Sequence, residues 1–240
     1  MKHPPTLILM RPRMSALNDM QICQQAGWHP VLMEYQHFKP VLSALSQLQY
    51  QSLQTDVILW NSPGAVHQAA NYVPKNLSCQ HVAIGEGTAV ALAQSGFRHI
   101  IYPEDGQDSE AVARLPLWQA RQGKVLLIKG CGGRDWLQGN LHLHGWNTEV
   151  AEVYERVPQL LDWSLLYQQK NIQAIYLTTV AAVNAWFNQL PVELHALSKS
   201  LLYLVHHPRI VNVLCEYGVS TMLVPNLRLG LANLHSCSSE

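Results

Sequence analysis

The chain has 240 residues, 48% of them hydrophobic and only 13% charged, and its 16 basic side chains balance its 16 acidic ones. That balance excludes the basic excess of a nucleic-acid footprint, and no apolar run reaches the length of a membrane span. The five cysteines (Cys23, Cys79, Cys131, Cys215, Cys237) are odd in number and scattered. This excludes a disulfide framework and a zinc spacing, and fits a reducing, cytoplasmic setting. Met1-Lys2-His3-Pro4-Pro5 leads into a strand-like run, not into a signal h-region.

Thr6 to Met10 predicts a buried strand, ended by Arg11-Pro12. Residues 15–26 predict a helix closed by Gly27, which supplies the left-handed residue after a helix. Trp28 to Phe38 then predicts one extended strand. Asp56 to Trp60 predicts a strand, and Ser62-Pro63 opens a helix, with serine at the N-cap and proline at the first position. His81 to Ile84 predicts a strand, 85–88 a turn, and Ala89 to Gln94 a helix ending at Gly96. Segment 103–118 predicts a polar turn entering a short helix. Residues 124–129 predict a strand, 130–133 a glycine turn, 134–144 a helix, and 147–157 a strand. Ala174 to Leu177 predicts a strand with Thr179 as the following cap. Leu201 to Val205 predicts another, followed by His206-His207-Pro208 and a helix to Tyr217. Residues 236–240 predict a loose tail. Alternating strands and helices point to parallel sheets covered on both faces.

The two halves repeat each other. Arg11 falls on Lys129, Gly27-Trp28 on Gly145-Trp146, Glu34 on Glu152 and Pro40 on Pro158, all 118 residues apart. Asn61-Ser62-x-x-Ala65-Val66 matches Thr178-Thr179-x-x-Ala182-Val183 at 117, and Gly96 matches Gly218 at 122. A period near half the chain means two related units and not a solenoid. Two lobes in one chain imply a cleft, a favoured place for ligands.

Gly130-Cys131-Gly132-Gly133-Arg134 follows a predicted strand and opens a predicted helix. Such a turn lets an anion approach backbone N–H groups, and Arg134 can grip a carboxylate with two hydrogen bonds. A tight turn with a solvated arginine is the equal alternative. The spacing is not the dinucleotide fingerprint. Ser62, Thr88 and Thr179 sit at predicted strand-to-helix turns, where a hydroxyl caps a helix and can also meet a ligand. The second half has Arg209 where the first has Thr88. Arg11 and Lys129 are repeat partners beyond or at the end of a strand. Tyr154 falls where the first half has Gln36, and a residue that breaks a repeat is a candidate for specialised function. Cys131 lacks a His or Asp partner and reads as incidental. His142-x-His144 and His206-His207 lack metal-ligand spacing, so no metal is expected. The seven tryptophans are scattered and read as core.

Met-Arg-Pro, Asn-Ser-Pro-x-Ala-Val, Ile-Gly-x-x-Thr-Ala, Pro-Glu-Asp-x-x-Asp-Ser-Glu, Lys-Gly-x-Gly-Gly-Arg and Val-Tyr-x-Arg-Val-Pro follow one another from residue 10 to residue 158. In this order and spacing they resemble the uroporphyrinogen-III synthase family, and the resemblance fades after about residue 185. It implies an α/β fold of two Rossmann-like lobes, joined by two extended connectors and interleaved by internal duplication. Lobe 1 would be residues 1–36 plus 159–240, lobe 2 residues 37–155, with connectors near 35–40 and 154–158. The implied activity is a hydro-lyase closure of the linear tetrapyrrole hydroxymethylbilane, with inversion of ring D and loss of water, without a cofactor. The implied catalytic residue is Tyr154, as a proton donor to the departing hydroxyl. The implied substrate contacts are Arg11, Ser62, Gly85, Thr88, Ser109, Lys129, Gly130, Arg134 and Thr179. A monomer acting on a small molecule is expected, with no nucleic acid and no membrane as partner. The alternatives are a non-catalytic two-lobe binding protein for an anionic small molecule and, less well matched, a nucleotide-dependent Rossmann enzyme.

Overall fold

The structure is a computed structural model that describes residues 3–120 and 122–237. In chain order it runs β1 (Thr6–Met10), α1 (Arg13–Gln25), β2 (His29–Leu32), β3 (Gln36–Pro40), α2 (Leu42–Leu53), β4 (Val57–Trp60), α3 (Pro63–Ala69), β5 (Gln80–Ala83) and α4 (Glu86–Gln94). There follow β6 (Ile100–Ile101), α5 (Ser109–Ala113), α6 (Leu117–Ala120), β7 (Lys124–Gly130), α7 (Trp136–Leu143) and β8 (Asn147–Pro158). The last stretch is α8 (Ser164–Tyr167), β9 (Ile172–Leu177), α9 (Val180–Gln189), α10 (His195–Ser200), β10 (Leu202–Val205), α11 (Pro208–Cys215), β11 (Ser220–Leu223) and α12 (Leu227–Cys237).

The chain divides into two compact units, Met1–His37 with Pro158–Glu240, and Phe38–Val157. Unit 1 carries a five-stranded sheet in the order β11-β10-β9-β1-β2, and unit 2 a six-stranded sheet in the order β3-β8-β7-β4-β5-β6. β1 pairs in parallel with β2 on one side and with β9 on the other, Leu7 beside Ala174 and Met10 beside Leu177. β4 likewise lies between β5 and β7, with Trp60 opposite Ala83 and Ile128.

Central strands are apolar on both faces because helices cover both. In unit 1, Ile8, Met10, Ile175 and Leu177 enter one core, and Leu7, Leu9, Ala174 and Tyr176 enter the other. In unit 2, Ile58, Trp60, Leu126 and Ile128 face one way, and Val57, Leu59, Val125 and Leu127 the other. This is the two-residue period of a strand applied to a fully buried parallel sheet. Gly27, Gly96, Gly145 and Gly218 all have positive φ just beyond helix ends, so the repeat preserved the four left-handed stops.

Three sequence expectations are corrected. Trp28 to Phe38 is not one strand. β2 pairs with β1, Met33 N still donates to Leu9 O at 2.9 Å, and the chain then re-enters a sheet as β3, in unit 2. Apolar alternation reports extension but not the partner, so it could not show the change of sheet. Thr88 is not in a turn. α4 begins at Glu86 behind the cap residue Gly85, which puts Thr88 inside the first helical turn, only 1% exposed. Residues 236–237 complete α12 instead of forming a tail, and 238–240 lie outside the described residues.

Strand order reverses once in each sheet. From β1 the chain proceeds to β2, whereas from β9 it proceeds to β10 on the opposite side. From β7 it proceeds to β8, and from β4 to β5. The crevice outside the carboxyl ends of such diverging strands is where open α/β sheets take ligands. Arg11 and Thr179 follow β1 and β9. The 130–133 turn and Ser62 end β7 and follow β4.

His81, on β5, is 4% exposed and accepts the Trp60 indole N–H on Nδ1 at 3.3 Å. Burial, and then the Lys75 charge, pull its pKa down to about 4. The unfolded chain therefore takes up a proton below its ordinary value of about 6.5 that the folded chain refuses until about 4. Stability should fall as pH drops through that window, by a few kcal/mol at most. Urea midpoints for the parent and His81→Phe at pH 7.5 and pH 4.5 check this: the phenylalanine variant should lose less on acidification.

Candidate functional site

Strand β8 builds the centre of the unit 2 site. Tyr154 and Arg156 are two residues apart, so both side chains leave the same face. The Tyr154 phenol oxygen lies 3.2 Å from Ser62 Oγ and accepts a hydrogen bond from Arg156 Nη2 at 3.1 Å. Ser62 is the N-cap of α3, and its Oγ accepts the Ala65 N–H at 3.0 Å. The tyrosine ring is nearly buried, 1% exposed, and packs on Phe38 with centroids 4.4 Å apart.

Two glycines make room for that ring. A Cβ on Gly130 would lie 2.5 Å from Tyr154 Cζ, and one on Gly64 would lie 2.7 Å from Phe38 Cε2 and 3.2 Å from the phenol oxygen. Gly130 thus serves the close approach of a side chain, and its backbone runs on into the turn that follows. In that turn Cys131 N donates to Tyr154 O at 2.7 Å, and Gly132 N donates to Glu152 Oε1 at 3.0 Å. A carboxylate of the chain itself therefore sits on the backbone N–H of the glycine turn, the role a ligand carboxylate would take there.

The expected cations are all engaged. Lys129 is 5% exposed at its side chain, with Nζ 2.7 Å from Asp135 Oδ1 and 3.8 Å from Glu152 Oε1. A buried ammonium needs such partners to offset desolvation. Arg134 is 67% exposed and pairs with Glu110 at 2.9 and 3.4 Å. An exposed pair of this kind is worth only about 0–1 kcal/mol. Ser109 is the first residue of α5 behind the cap Asp108, whose carboxylate accepts the Ala111 N–H at 2.8 Å. Gly85 is extended, and a Cβ there would meet Gln107 at 2.9 Å. The Cys131 thiol is pushed up by burial and then by the Glu152 and Glu155 charges, which opposes thiolate chemistry.

Unit 1 holds the repeat of this arrangement. Thr179 caps α9, its Oγ1 accepting the Ala182 N–H at 3.1 Å, and the Tyr35 phenol lies 3.0 Å from the same oxygen. Arg11 pairs with the buried Asp19 through Nη1, while its Nε is buried without a hydrogen-bond partner. Tyr154 therefore does not break the repeat; its counterpart is Tyr35, one residue away from the position that the 118-residue offset gives. The slip has a structural cause. The β7–β8 register shifts between Lys129 and Gly130, which pair with Glu152 and Tyr154 and pass over Val153. Of the other expected residues, Thr88 is removed from the site by burial within α4.

Burial pulls the His206 imidazole down, and the Arg11 charge adds to this. His207 caps α11 by accepting the Arg209 N–H on Nδ1 at 3.0 Å. Among the described residues no His, Cys, Asp and Glu group could hold a metal ion, and no helix is long and apolar enough to cross a membrane. Sequence reasoning missed Arg156, Phe38, Glu152 and Tyr35. The first was within reach, because alternation along Val-Tyr-x-Arg-Val puts the tyrosine and arginine on one face.

Gly130→Ala should displace the Tyr154 ring and cost about 1–3 kcal/mol of stability, the usual range for overpacking. Urea denaturation measures the loss, and near-ultraviolet circular dichroism reports the ring.

The chain is similar to several known proteins. A family model described as uroporphyrinogen-III synthase HemD matches residues 19–227. A uroporphyrinogen-III synthase of Escherichia coli K12 is 30% identical over 140 residues, 55% of this chain and 56% of that protein. One of Proteus mirabilis is 31% identical over 140 residues, 57% of this chain and 68% of that protein. The chain thus spans little more than half the length of its Escherichia coli relative. Among solved structures, a mutant uroporphyrinogen III synthase of the extremely thermophilic bacterium Thermus thermophilus superposes with a TM-score of 0.58 at 17% identity, over 98% of this chain and 100% of that one. The Helicobacter pylori 26695 protein gives 0.59 at 15% identity, over the same shares. At such identities the structures speak for the fold, while the family match runs through both crevice-forming segments of each unit except the end of β1: by that match, this chain belongs to the uroporphyrinogen-III synthase family.

Proposed function

We propose that the chain converts hydroxymethylbilane to uroporphyrinogen III, as a cytoplasmic monomer without a cofactor. The observation that carries this is the Tyr154 phenol, set between Arg156 and Ser62 at a strand-order reversal. A phenol is a proton donor near neutral pH. Protonation of the terminal hydroxyl lets it leave as water with the C–O electron pair, and the pyrrole nitrogen supplies electrons to the resulting azafulvene. The substituted carbon of ring D then attacks, and a spiro intermediate rearranges to the type III macrocycle. Arg156 faces any negative charge that develops on the phenol oxygen as its proton leaves.

The substrate carries eight carboxylates and is reactive by itself, closing unaided to the unrearranged isomer. The protein has mainly to hold it in the right fold and assist the leaving group. Ser62, Thr179, the 130–133 turn, Arg11, Lys129 and Arg134 supply hydroxyl, backbone and cationic donors for that task. These three cations are paired with Asp19, Asp135, Glu152 or Glu110, so substrate carboxylates bind by exchange. The two units, with matching caps and matching tyrosines, read as interleaved copies of one ancestral unit.

Incubation of the protein with hydroxymethylbilane, with type I and type III products resolved by chromatography, tests the activity. Enrichment of type III over the spontaneous type I product is expected. Its absence, with substrate bound, would leave a binding protein.

Tyr154→Phe keeps the ring and should lower type III formation by about 10²-fold, the low end for a positioned acid, with type I replacing it. A parental rate would reject the general-acid role. Arg134→Ala should weaken substrate binding by about 1–3 kcal/mol, read as a raised KM. Glu110→Gln, which releases the arginine, should lower KM. Steady-state kinetics of both variants check the pair.

A further inference from the structure

We propose that Tyr35 is a positioning residue, which orients the Thr179 hydroxyl as a hydrogen-bond donor to a substrate carboxylate in the unit 1 crevice; this rests on the cyclase reading above. A hydroxyl has one proton and two lone pairs. Thr179 Oγ1 already accepts the Ala182 N–H at 3.1 Å. The Tyr35 phenol stands 3.0 Å away and is only 5% exposed. When that phenol donates, both lone pairs of Thr179 are filled, and its own proton must be donated outward. A capping threonine thereby becomes an obligate donor.

Unit 2 shows the same wiring. Ser62 Oγ accepts Ala65 N–H and lies 3.2 Å from the Tyr154 phenol oxygen, which accepts from Arg156. Two independent copies of a tyrosine on a helix-capping hydroxyl, both at strand-order reversals, are more than a helix cap requires. Unit 1 adds a second sign of a ligand. Arg11 follows β1, whose last residue Met10 pairs with Leu177, two residues before Thr179. The Arg11 Nε is buried and lacks a partner. A carboxylate across these two strand ends would receive the threonine hydroxyl and the guanidinium together. Tyr35 itself is held firmly. Its carbonyl accepts Gln159 N at 3.0 Å, and the Glu34 carbonyl accepts Gln159 Nε2 at 2.8 Å.

The test is Tyr35→Phe in the full chain. KM for hydroxymethylbilane should rise about fivefold, the scale of one lost hydrogen bond, with kcat within about twofold. The Thr179→Asp variant keeps a helix-capping acceptor but cannot donate. KM should rise there too, and adding Tyr35→Phe should raise it no further. A packing role would instead lower the thermal midpoint and leave KM unchanged. An unchanged KM in Tyr35→Phe, or an undiminished effect in the Thr179→Asp background, overturns the proposal. Should the parent make no type III product, the cyclase reading fails by itself. Quenching of uroporphyrin III fluorescence then tests Tyr35 directly: about fivefold weaker binding of this octacarboxylate in Tyr35→Phe supports it, and equal binding overturns it.

Discussion

The pairing of β1 with β9 is the constraint on which the arrangement depends. Thr6–Met10 and Ile172–Leu177 lie side by side in parallel, apolar on both faces, although most of the chain separates them. Closing so long a loop costs entropy, but the cost grows only logarithmically with length. Residues 38–157 reduce the difficulty by forming a compact unit of their own. Once β1 is seated, its carboxyl end brings Arg11 next to the strand that leads to Thr179. The β4–β7 pairing does the same for Ser62 and the glycine turn.

Each crevice is lined by groups whose hydrogen-bonding capacity is largely committed. The cap hydroxyls accept from their helices and meet a tyrosine. The cations meet carboxylates, and the glycine turn meets Glu152. Arg11, Lys129 and Arg134 thus each already have a carboxylate of the chain beside them. The Tyr154 phenol oxygen lies between Ser62 and Arg156, which hold it in place.

Packing and polar contacts meet at Tyr154. Its ring contributes to the core with Phe38, Ala65 and Ile128, while its oxygen belongs to a polar cluster. An aromatic side chain combines the two roles, because one end packs and the other hydrogen-bonds. Gly130 and Gly64 are the complement, two positions where any side chain would collide with the ring pair. The same glycine-turn sequence that reads as an anion loop is therefore also a packing necessity.

Much was legible in the sequence because it rests on local chemistry. Alternating apolar strands, the glycine stops and the caps Ser62 and Thr179 follow from near-neighbour sterics and hydrogen bonding, and the repeat doubled their evidence. The strand over 28–38 and the turn at Thr88 were misread because extension does not name a partner and a helix start moves with one capping residue. The equivalence of Tyr35 and Tyr154 was hidden by a register shift that only paired strands reveal. The engagement of Lys129, Arg134 and Arg11 was invisible for a related reason: their carboxylate partners lie six to twenty-four residues away and meet them only after folding. The sequence by itself determined which residues could form strands, caps and donors, since those depend on neighbours along the chain. The tertiary structure alone decided which tyrosine meets which hydroxyl and which charge is already neutralised, because those depend on strand order and register.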